Sequence, residues 1–216
     1  MVYLMKFRCL SLAFFGVLTL PLNQEQGWEH LEFSNAKRNE AQFTQSGLKI
    51  SVKESSSPLF FRLKELISVG GVKIKAEIMG LPKINPDEKE GQGSSDDFAL
   101  RVGLVSSGEH ELNWFQKLFA PRWLKEVSER SQPYSLGRVL FLTLGQTLPV
   151  GFKRKHPKSE LLEEEIILKT PRPGSFDVTW KSPTPINTYA LWLQADGDDT
   201  RSSFEVLLKE LTLESR

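Results

Sequence analysis

Residues 72–78, Val-Lys-Ile-Lys-Ala-Glu-Ile, alternate an apolar side chain with a charged one at every position. The same period of two recurs at 48–53 (LKISVK) and at 97–104 (DFALRVGL). Successive side chains of a strand point to opposite faces, so each segment can bury one face and leave the other in water or a groove. The pattern therefore predicts strands in these segments. Further strand candidates lie at 58–63, 137–144, 164–169, 175–180, 188–195 and 204–213.

Turn-forming residues separate the predicted strands, as at Gly70-Gly71 and at 171–174 (PRPG). Strands at this density, joined by turns rather than by crossover helices, predict an all-β fold, an antiparallel β-sandwich or barrel. One segment differs, because its apolar residues recur at helical spacing and Pro121 fits the first turn of a second helix. We therefore expect a short helical insertion near residues 112–130.

The N-terminus has the pattern of an export signal. Lys6 and Arg8 precede residues 9–22, a 14-residue run with only two polar positions. A transmembrane helix needs about 20 residues, so this run is short for one. We expect residues 1–22 to be a signal peptide and 28–216 to form a single β-sandwich domain that is periplasmic or secreted. An uncleaved membrane anchor and a buried N-terminal element are the alternatives.

Composition excludes several classes of protein. The chain has 216 residues, with 28 Lys and Arg, 27 Asp and Glu, and a formal net charge of +1. This balance argues against a nucleic-acid binder that depends on a strong basic field. Cys9 is the single cysteine, which excludes an intramolecular disulfide and a zinc site built on several thiolates.

Familiar catalytic motifs are missing from the sequence. There is no Gly-x-Ser-x-Gly, no His-Glu-x-x-His, no phosphate-binding loop and no dinucleotide fingerprint. We expect residues 83–95, which hold few apolar side chains, to form a mobile loop, and His30, His110 and His156 to lie on the solvated surface. The sequence therefore favours a protein that is not an enzyme. With 27 acidic residues, it leaves a carboxylate pair for glycoside hydrolysis open.

Two clusters of charged residues are the candidates for a site. In the first, Asp97 and Arg101 share the polar face of a predicted strand, about 13 Å apart, so they cannot pair directly. Partners on neighbouring strands and ordinary polar decoration of an outer face both remain open. In the second, residues 196–200 (DGDDT), three carboxylates crowd around a glycine. An EF-hand is excluded, because its sixth and twelfth positions would hold arginine and leucine. A solvated turn, ion pairs with cations such as Arg101, and a calcium ion held by Asp196, Asp198 and Asp199 remain open.

The motifs at 96–102 (DDFALRV) and 190–200 (ALWLQADGDDT) resemble the bacterial family called domain of unknown function 3047. The resemblance implies a jelly-roll sandwich similar to galactose-binding-like and carbohydrate-binding modules, in an exported bacterial protein. It implies no activity, because the family has none established.

Trp192 is the best single candidate for a ligand-facing ring, since alternation puts it on one face with Gln194 and Asp196. We expect a ligand-binding surface made by Asp97, Arg101, Trp192, Asp196, Asp198, Asp199 and Thr200. The leading functional hypothesis is a non-catalytic binding protein of the cell envelope that recognises a glycan or another envelope component. The alternatives are a hydrolase of an envelope polysaccharide and a structural envelope protein with no small ligand.

Overall fold

Eleven β-strands and one α-helix make up the described part of this computed structural model, which comprises residues 16–31, 33, 36–108, 122–130, 132–156 and 159–216. The strands are β1 (Val17–Thr19), β2 (Trp28–His30), β3 (Glu40–Thr44), β4 (Gly47–Lys53), β5 (Leu59–Met79), β6 (Arg101–Gly108), β7 (Ser135–Gly145), β8 (Lys153–His156), β9 (Ser159–Lys169), β10 (Gly174–Gln194) and β11 (Ser203–Ser215). The helix is α1 (Arg122–Arg130). Each strand candidate from the sequence falls in one of these strands, give or take its end residues, although β6 begins only at Arg101.

The strands form one continuous sheet that folds over on itself. Their order is β3-β4-β11-β5-β10-β6-β7-β9-β8, with β1 added to β11 and β2 added to β5. All pairs are antiparallel except β7 with β9. Val206 of β11 and Leu104 of β6, from distant parts of the sheet, belong to one buried apolar cluster, so two layers stack face to face. The predicted all-β antiparallel sandwich is confirmed.

β5 and β10, with 21 residues each, pass from one layer to the other. Lys181 of β10 pairs with Gly71 of β5. The next pair along is Ile186 with Val69, so four residues of β10 stand opposite one residue of β5. Glycine inside a strand typically marks such a bend. The predicted turn at the Gly70-Gly71 pair is therefore wrong, because the strand bends there and continues.

The layer that contains β6, β7 and β9 is also covered on its second face. Val127 of α1 and Leu31 are fully buried there, in an apolar cluster with Val139 and Trp192. The helical insertion predicted near residues 112–130 is thus present as α1, while its first part lies outside the described residues. The polar face expected on these strands consequently points into a covered interior rather than into water.

Residues at the start of the described chain belong to the sandwich. β1 pairs with β11, and Leu20 and Leu22 are 3% and 6% exposed. The indole Nε1 of Trp28 donates a hydrogen bond to the Pro21 carbonyl at 2.7 Å. Cleavage after Leu22 would therefore remove one strand and two core side chains. No helix in the described ranges has the length and apolar character needed to cross a bilayer.

Candidate functional site

Arg101 is the centre of a buried network of charges. Its side chain is 4% exposed, and its Nη1 forms an ion pair with the Asp196 carboxylate. Its Nε lies 3.3 Å from Glu164 Oε1, and its Nη2 lies 3.5 Å from Asp96 Oδ1. Arg101 thus finds its partners on neighbouring segments, but in the interior rather than on a solvated face.

A second cation, Arg154 of β8, completes what we call the Arg101 network. Its Nη2 lies 3.1 Å from Asp96 Oδ1, and its Nε donates to Glu164. The guanidinium carbons of Arg101 and Arg154 lie 4.5 and 5.9 Å from the centroid of the Phe98 ring. The network therefore sets two arginines against three carboxylates, those of Asp96, Glu164 and Asp196, over one aromatic ring.

His156 lies at the edge of this network, contrary to the predicted surface position. Its Nε2 is 3.6 Å from Asp96 Oδ2, and its side chain is 11% exposed. Burial, assisted by Arg101, lowers the pKa of His156. This position could not be foreseen, because Asp96 and His156 are far apart in sequence and meet only in the folded chain. His110 lies outside the described residues.

The loop 83–95 holds one side of the network in place. Glu90 is 3% exposed and accepts hydrogen bonds from the backbone N–H groups of Gln146, Thr147 and Leu148 at 2.6–3.0 Å. A buried carboxylate that accepts three N–H bonds is a strong anchor. The expectation of a freely mobile loop is corrected accordingly.

Burial and charge act differently on Glu164 and Asp196, two of the carboxylates of the network. Burial opposes ionisation of Glu164, but Arg101 and Arg154 outweigh it and hold the pKa of Glu164 below its usual range. Burial raises the pKa of Asp196 to about 7, and the nearby Asp198 adds to the rise while Arg101 opposes it. Glu164 is therefore the firmly ionised partner, whereas Asp196 titrates near neutral pH.

Asp97 belongs to a separate arrangement, with the turn that follows β10. Asp97 is fully buried, and its Oδ2 accepts hydrogen bonds from the backbone N–H and the hydroxyl of Thr200 at 2.6 and 2.5 Å. Its Oδ1 is buried with no hydrogen-bond partner. One carboxylate oxygen each from Asp97, Asp198 and Asp199 lies within 4.8 Å of the others. We call this group the acidic loop.

Gly197 explains how the acidic loop comes so close to the sandwich. A Cβ at this position would lie 2.6 Å from Val52 Cγ1 and 2.9 Å from the Ser202 carbonyl oxygen. The backbone N–H of Gly197 donates to the Ser55 carbonyl at 3.1 Å, and that of Ser202 donates to the Gly197 carbonyl at 2.9 Å. Only glycine leaves room for this turn.

Trp192 lies in the core. The residue is 2% exposed, and its ring packs edge-on against Phe141 at 5.6 Å and against Phe33 at 6.3 Å. Its Nε1 donates to Gln194 Oε1 at 2.9 Å. No face of the ring is open to a ligand in this structure, because the layer is covered on that side.

The predicted ligand surface is thus divided between three separate environments, two of them buried and one partly open to solvent. Arg101 and Asp196 lie in the Arg101 network, Trp192 lies in the core, and the remaining members lie in the acidic loop. Those remaining members are Asp97, Asp198, Asp199 and Thr200. Of the three residues predicted to hold calcium, Asp198 and Asp199 converge with Asp97, whereas Asp196 pairs with Arg101.

Sequence reasoning missed an open groove of about 460 Å³ between β10 and the strands β7, β8 and β9. Leu140, Trp180 and Ile186 form its apolar wall. We call it the edge groove, because the first half of β10 pairs only with β5 and is the edge of its layer. Trp180 is 8% exposed, so only a small part of its side chain reaches the groove.

Charged side chains line the opposite wall of the edge groove. Arg138 Nη1 lies 3.1 Å from Glu163 Oε2, and Lys153 Nζ lies 3.2 Å from Glu165 Oε2. Lys155 also lines the groove and forms no ion pair with any described residue. The signal that could have revealed this wall is the pair of runs KRK and EEE at 153–155 and 163–165, which the β8–β9 register sets opposite each other.

No family model matches the chain, and no curated protein matches it. The resemblance to the domain of unknown function 3047 family is therefore not confirmed.

Solved structures similar to the chain include the xylan-binding module CBM15, at 8% identity and a TM-score of 0.38, over 93% of this chain and 97% of that one. A family 11 carbohydrate-binding module of a cellulosomal cellulase of Clostridium thermocellum matches at 7% identity and a TM-score of 0.41, over 94% and 96%. The Ca2+/Man3GlcNAc-bound exoplasmic/lumenal domain of VIP36 matches at 9% identity and a TM-score of 0.39, over 93% and 88%. At these identities and scores the likenesses carry no information about a ligand of this chain.

Proposed function

We propose that the protein is an exported, non-catalytic carbohydrate-binding protein whose ligand occupies the edge groove. The observation that carries the proposal is the lining of the groove. It has an apolar wall that includes Trp180 facing a wall of charged side chains on paired strands.

This lining suits a sugar for two reasons. The C–H face of a sugar ring packs on apolar and aromatic groups, while its hydroxyls need a few well-placed polar partners. The ion pairs Arg138–Glu163 and Lys153–Glu165 fix donors and acceptors on rigid strands before a ligand arrives. Thr184 also lines the groove and is exposed, so its hydroxyl adds a neutral partner.

The charge of the groove favours a glycan that carries acidic groups. Two of the lysine and arginine side chains on the charged wall are matched by glutamates, whereas Lys155 is exposed and has no carboxylate partner in the described ranges. An unmatched ammonium group attracts a carboxylate or sulfate on a sugar.

A hydrolase is the second candidate, on one specific observation. Glu163 and Glu165 both line the groove and lie two residues apart on one face of β9, about 6.5–7 Å along the strand. Glycosidases use a pair of carboxyl groups that flank the scissile bond, and two glutamates in one groove can supply such a pair. Each carboxylate already accepts from a cation, however, and a general acid must instead present a proton to the leaving group.

Export rests on the N-terminal sequence pattern. Because residues 17–22 contribute a strand and core side chains, a cleavage that preserves the sandwich would fall before Gly16. N-terminal sequencing of the protein recovered from periplasmic and culture fractions tests this. A protein found only in the cytoplasmic fraction would contradict export.

A glycan array with the purified full chain tests the binding function, followed by titration calorimetry of any glycan that binds. We expect Arg138→Ala and Lys153→Ala to weaken binding tenfold or more, because each removes a polar partner from the groove. Lys209→Ala is the matched control, since that exposed lysine pairs with Glu77 in the other layer. A silent array, or groove variants that bind as tightly as the wild type, would contradict the proposal. Release of reducing ends that stops in Glu163→Gln or Glu165→Gln would establish the hydrolase instead.

A further inference from the structure

The acidic loop brings together carboxylates from two distant segments of the chain. Asp97 precedes β6, whereas Asp198 and Asp199 follow β10. Their three oxygens lie within 4.8 Å of one another. Arg101, the nearest buried cation in sequence, is engaged by the carboxylates of its own network. Within the described part of the chain, neither Asp97 nor Asp198 has an ion-pair partner.

The buried carboxylate of Asp97 is an independent observation that points to a bound cation in the acidic loop. It is fully buried, and while Thr200 satisfies Oδ2, nothing donates a hydrogen bond to Oδ1. A buried carboxylate oxygen without a donor or cation is costly, and folded proteins rarely retain one. Because Asp97 is one of the three residues whose oxygens converge, its carboxylate is aimed into the acidic loop.

We propose that the acidic loop binds one calcium ion through Asp97, Asp198 and Asp199. Calcium takes six to eight oxygen ligands at about 2.3–2.6 Å, so ligands on opposite sides of the ion lie about 4.6–5.2 Å apart. Three oxygens within 4.8 Å of one another fit inside one such shell. Asp199 is exposed and Asp198 is half-buried, so water can fill the remaining positions from the open side.

Electrostatics agree with this geometry. Burial raises the pKa of Asp97, and the nearby Asp196 adds to the rise. A divalent cation would compensate this accumulated negative charge and favour ionised Asp97. The ion would also join the segment before β6 to the turn after β10, so its binding would stabilise the sandwich. This inference does not depend on the proposed glycan function.

Titration calorimetry and thermal unfolding of the chelator-treated full chain test the site, with calcium chloride alone as the probe. We expect saturable binding of one ion per chain. At a calcium concentration about a hundredfold above Kd, the melting temperature should rise by about 5–10 °C. Magnesium chloride at the same concentrations should bind more weakly, because it demands a tighter, octahedral shell.

Asp198→Asn and Asp199→Asn keep the size of each side chain and remove a charged ligand, so each should weaken calcium binding at least tenfold. Both residues are at least partly exposed, so these variants should fold even if Asp97→Asn does not. Asp177→Asn is the matched control, since that aspartate is 58% exposed and lies in β10 beside Lys75. No binding up to 10 mM calcium, an unchanged melting temperature, equal affinity in the loop variants, or tighter binding of magnesium would each overturn the proposal.

Discussion

The Arg101 network and the edge groove use the same kinds of side chain, from the same two strands, for opposite purposes. Arg154 and Glu164, at the centres of the runs KRK and EEE, have side chains that are 12% and 1% exposed. Their neighbours on β8 and β9 point to the other face, where Lys153 is 63% and Glu163 is 33% exposed. Period two thus divides one charged hairpin into more buried and more exposed side chains, although Arg154 and Glu164 also line the edge groove.

The difference shows how burial changes the effect of an ion pair on stability. An exposed pair contributes little to stability, typically about 0–1 kcal/mol, because water screens it. A buried pair cannot lose one member without leaving the other charge unsolvated. We therefore expect substitutions in the Arg101 network to change folding, and substitutions in the edge groove to change binding.

The largest effect should come from Arg101→Met. It leaves three buried carboxylates facing one arginine, and removing one partner of a buried pair costs about 3–5 kcal/mol of unfolding free energy. Urea unfolding of the variant measures this, with Arg138→Met in the groove as its control. A loss below about 1 kcal/mol for Arg101→Met would contradict a large contribution of the network to stability.

Glu164→Gln and Glu163→Gln compare adjacent glutamates on opposite faces of β9. We expect Glu164→Gln to lower the free energy of unfolding by about 2–3 kcal/mol, because two arginines lose a charged partner in the interior. Glu163→Gln should change it by less than about 0.5 kcal/mol. If both substitutions lower the free energy of unfolding equally in the same urea experiment, the two faces of β9 do not differ as proposed.

The pH dependence of stability should separate Asp196 from Glu164. The pKa of Asp196 in the folded protein, about 7, lies above that of the unfolded chain, so its contribution to stability falls as the pH rises from about 4 to 7. The pKa of Glu164 is lowered, so its contribution is present above about pH 4.5 and is lost as the pH falls through its folded value.

Unfolding free energies of the wild type and Asp196→Asn, measured with a chelator from pH 4 to 7.5, isolate the first of these effects. His156 lowers stability at acid pH in both proteins, so its contribution cancels in the difference. We expect the wild type to lose stability relative to the variant as the pH rises towards 7. If the two unfolding free energies change in parallel with pH, the raised pKa of Asp196 is contradicted.

The smallest effect on stability is expected for Lys155→Ala. This exposed lysine lies in the groove without an ion-pair partner in the described chain, so its loss should leave the melting temperature within about 1–2 °C. The affinity for an acidic glycan should nevertheless fall several-fold and that for a neutral glycan should not. Equal losses of affinity for both glycans would contradict the proposed attraction between Lys155 and an acidic group on the sugar.

Alternation predicted the strands and the sandwich well, because residues 48–53 and 72–78 do bury one face each. It did not foresee the burial of Arg101 and Trp192, because it placed the second face in water or a groove. The second face of that layer is covered by α1 and Leu31, which are remote in sequence. A local pattern shows that two faces differ, but long-range packing decides what each face meets.

The edge groove was missed for a related reason. Residues 153–155 and 163–165 read separately as surface charge, and only the antiparallel register of β8 and β9 sets them opposite each other. The acidic loop was visible in part, since Asp198 and Asp199 adjoin in sequence. The third aspartate of the acidic loop was not visible. Asp196 forms an ion pair with Arg101, and Asp97 lies beside Asp198 and Asp199 instead.

One measurement tests most directly whether the ligand binds in the edge groove rather than at the Arg101 network and the acidic loop. It records amide chemical shifts of the labelled full chain during titration with a glycan that binds on the array. The account predicts shift changes confined to residues 138–140, 153–155, 163–165 and 180–186. Changes centred instead on residues 97–101 and 196–200, with the groove strands unmoved, would contradict it.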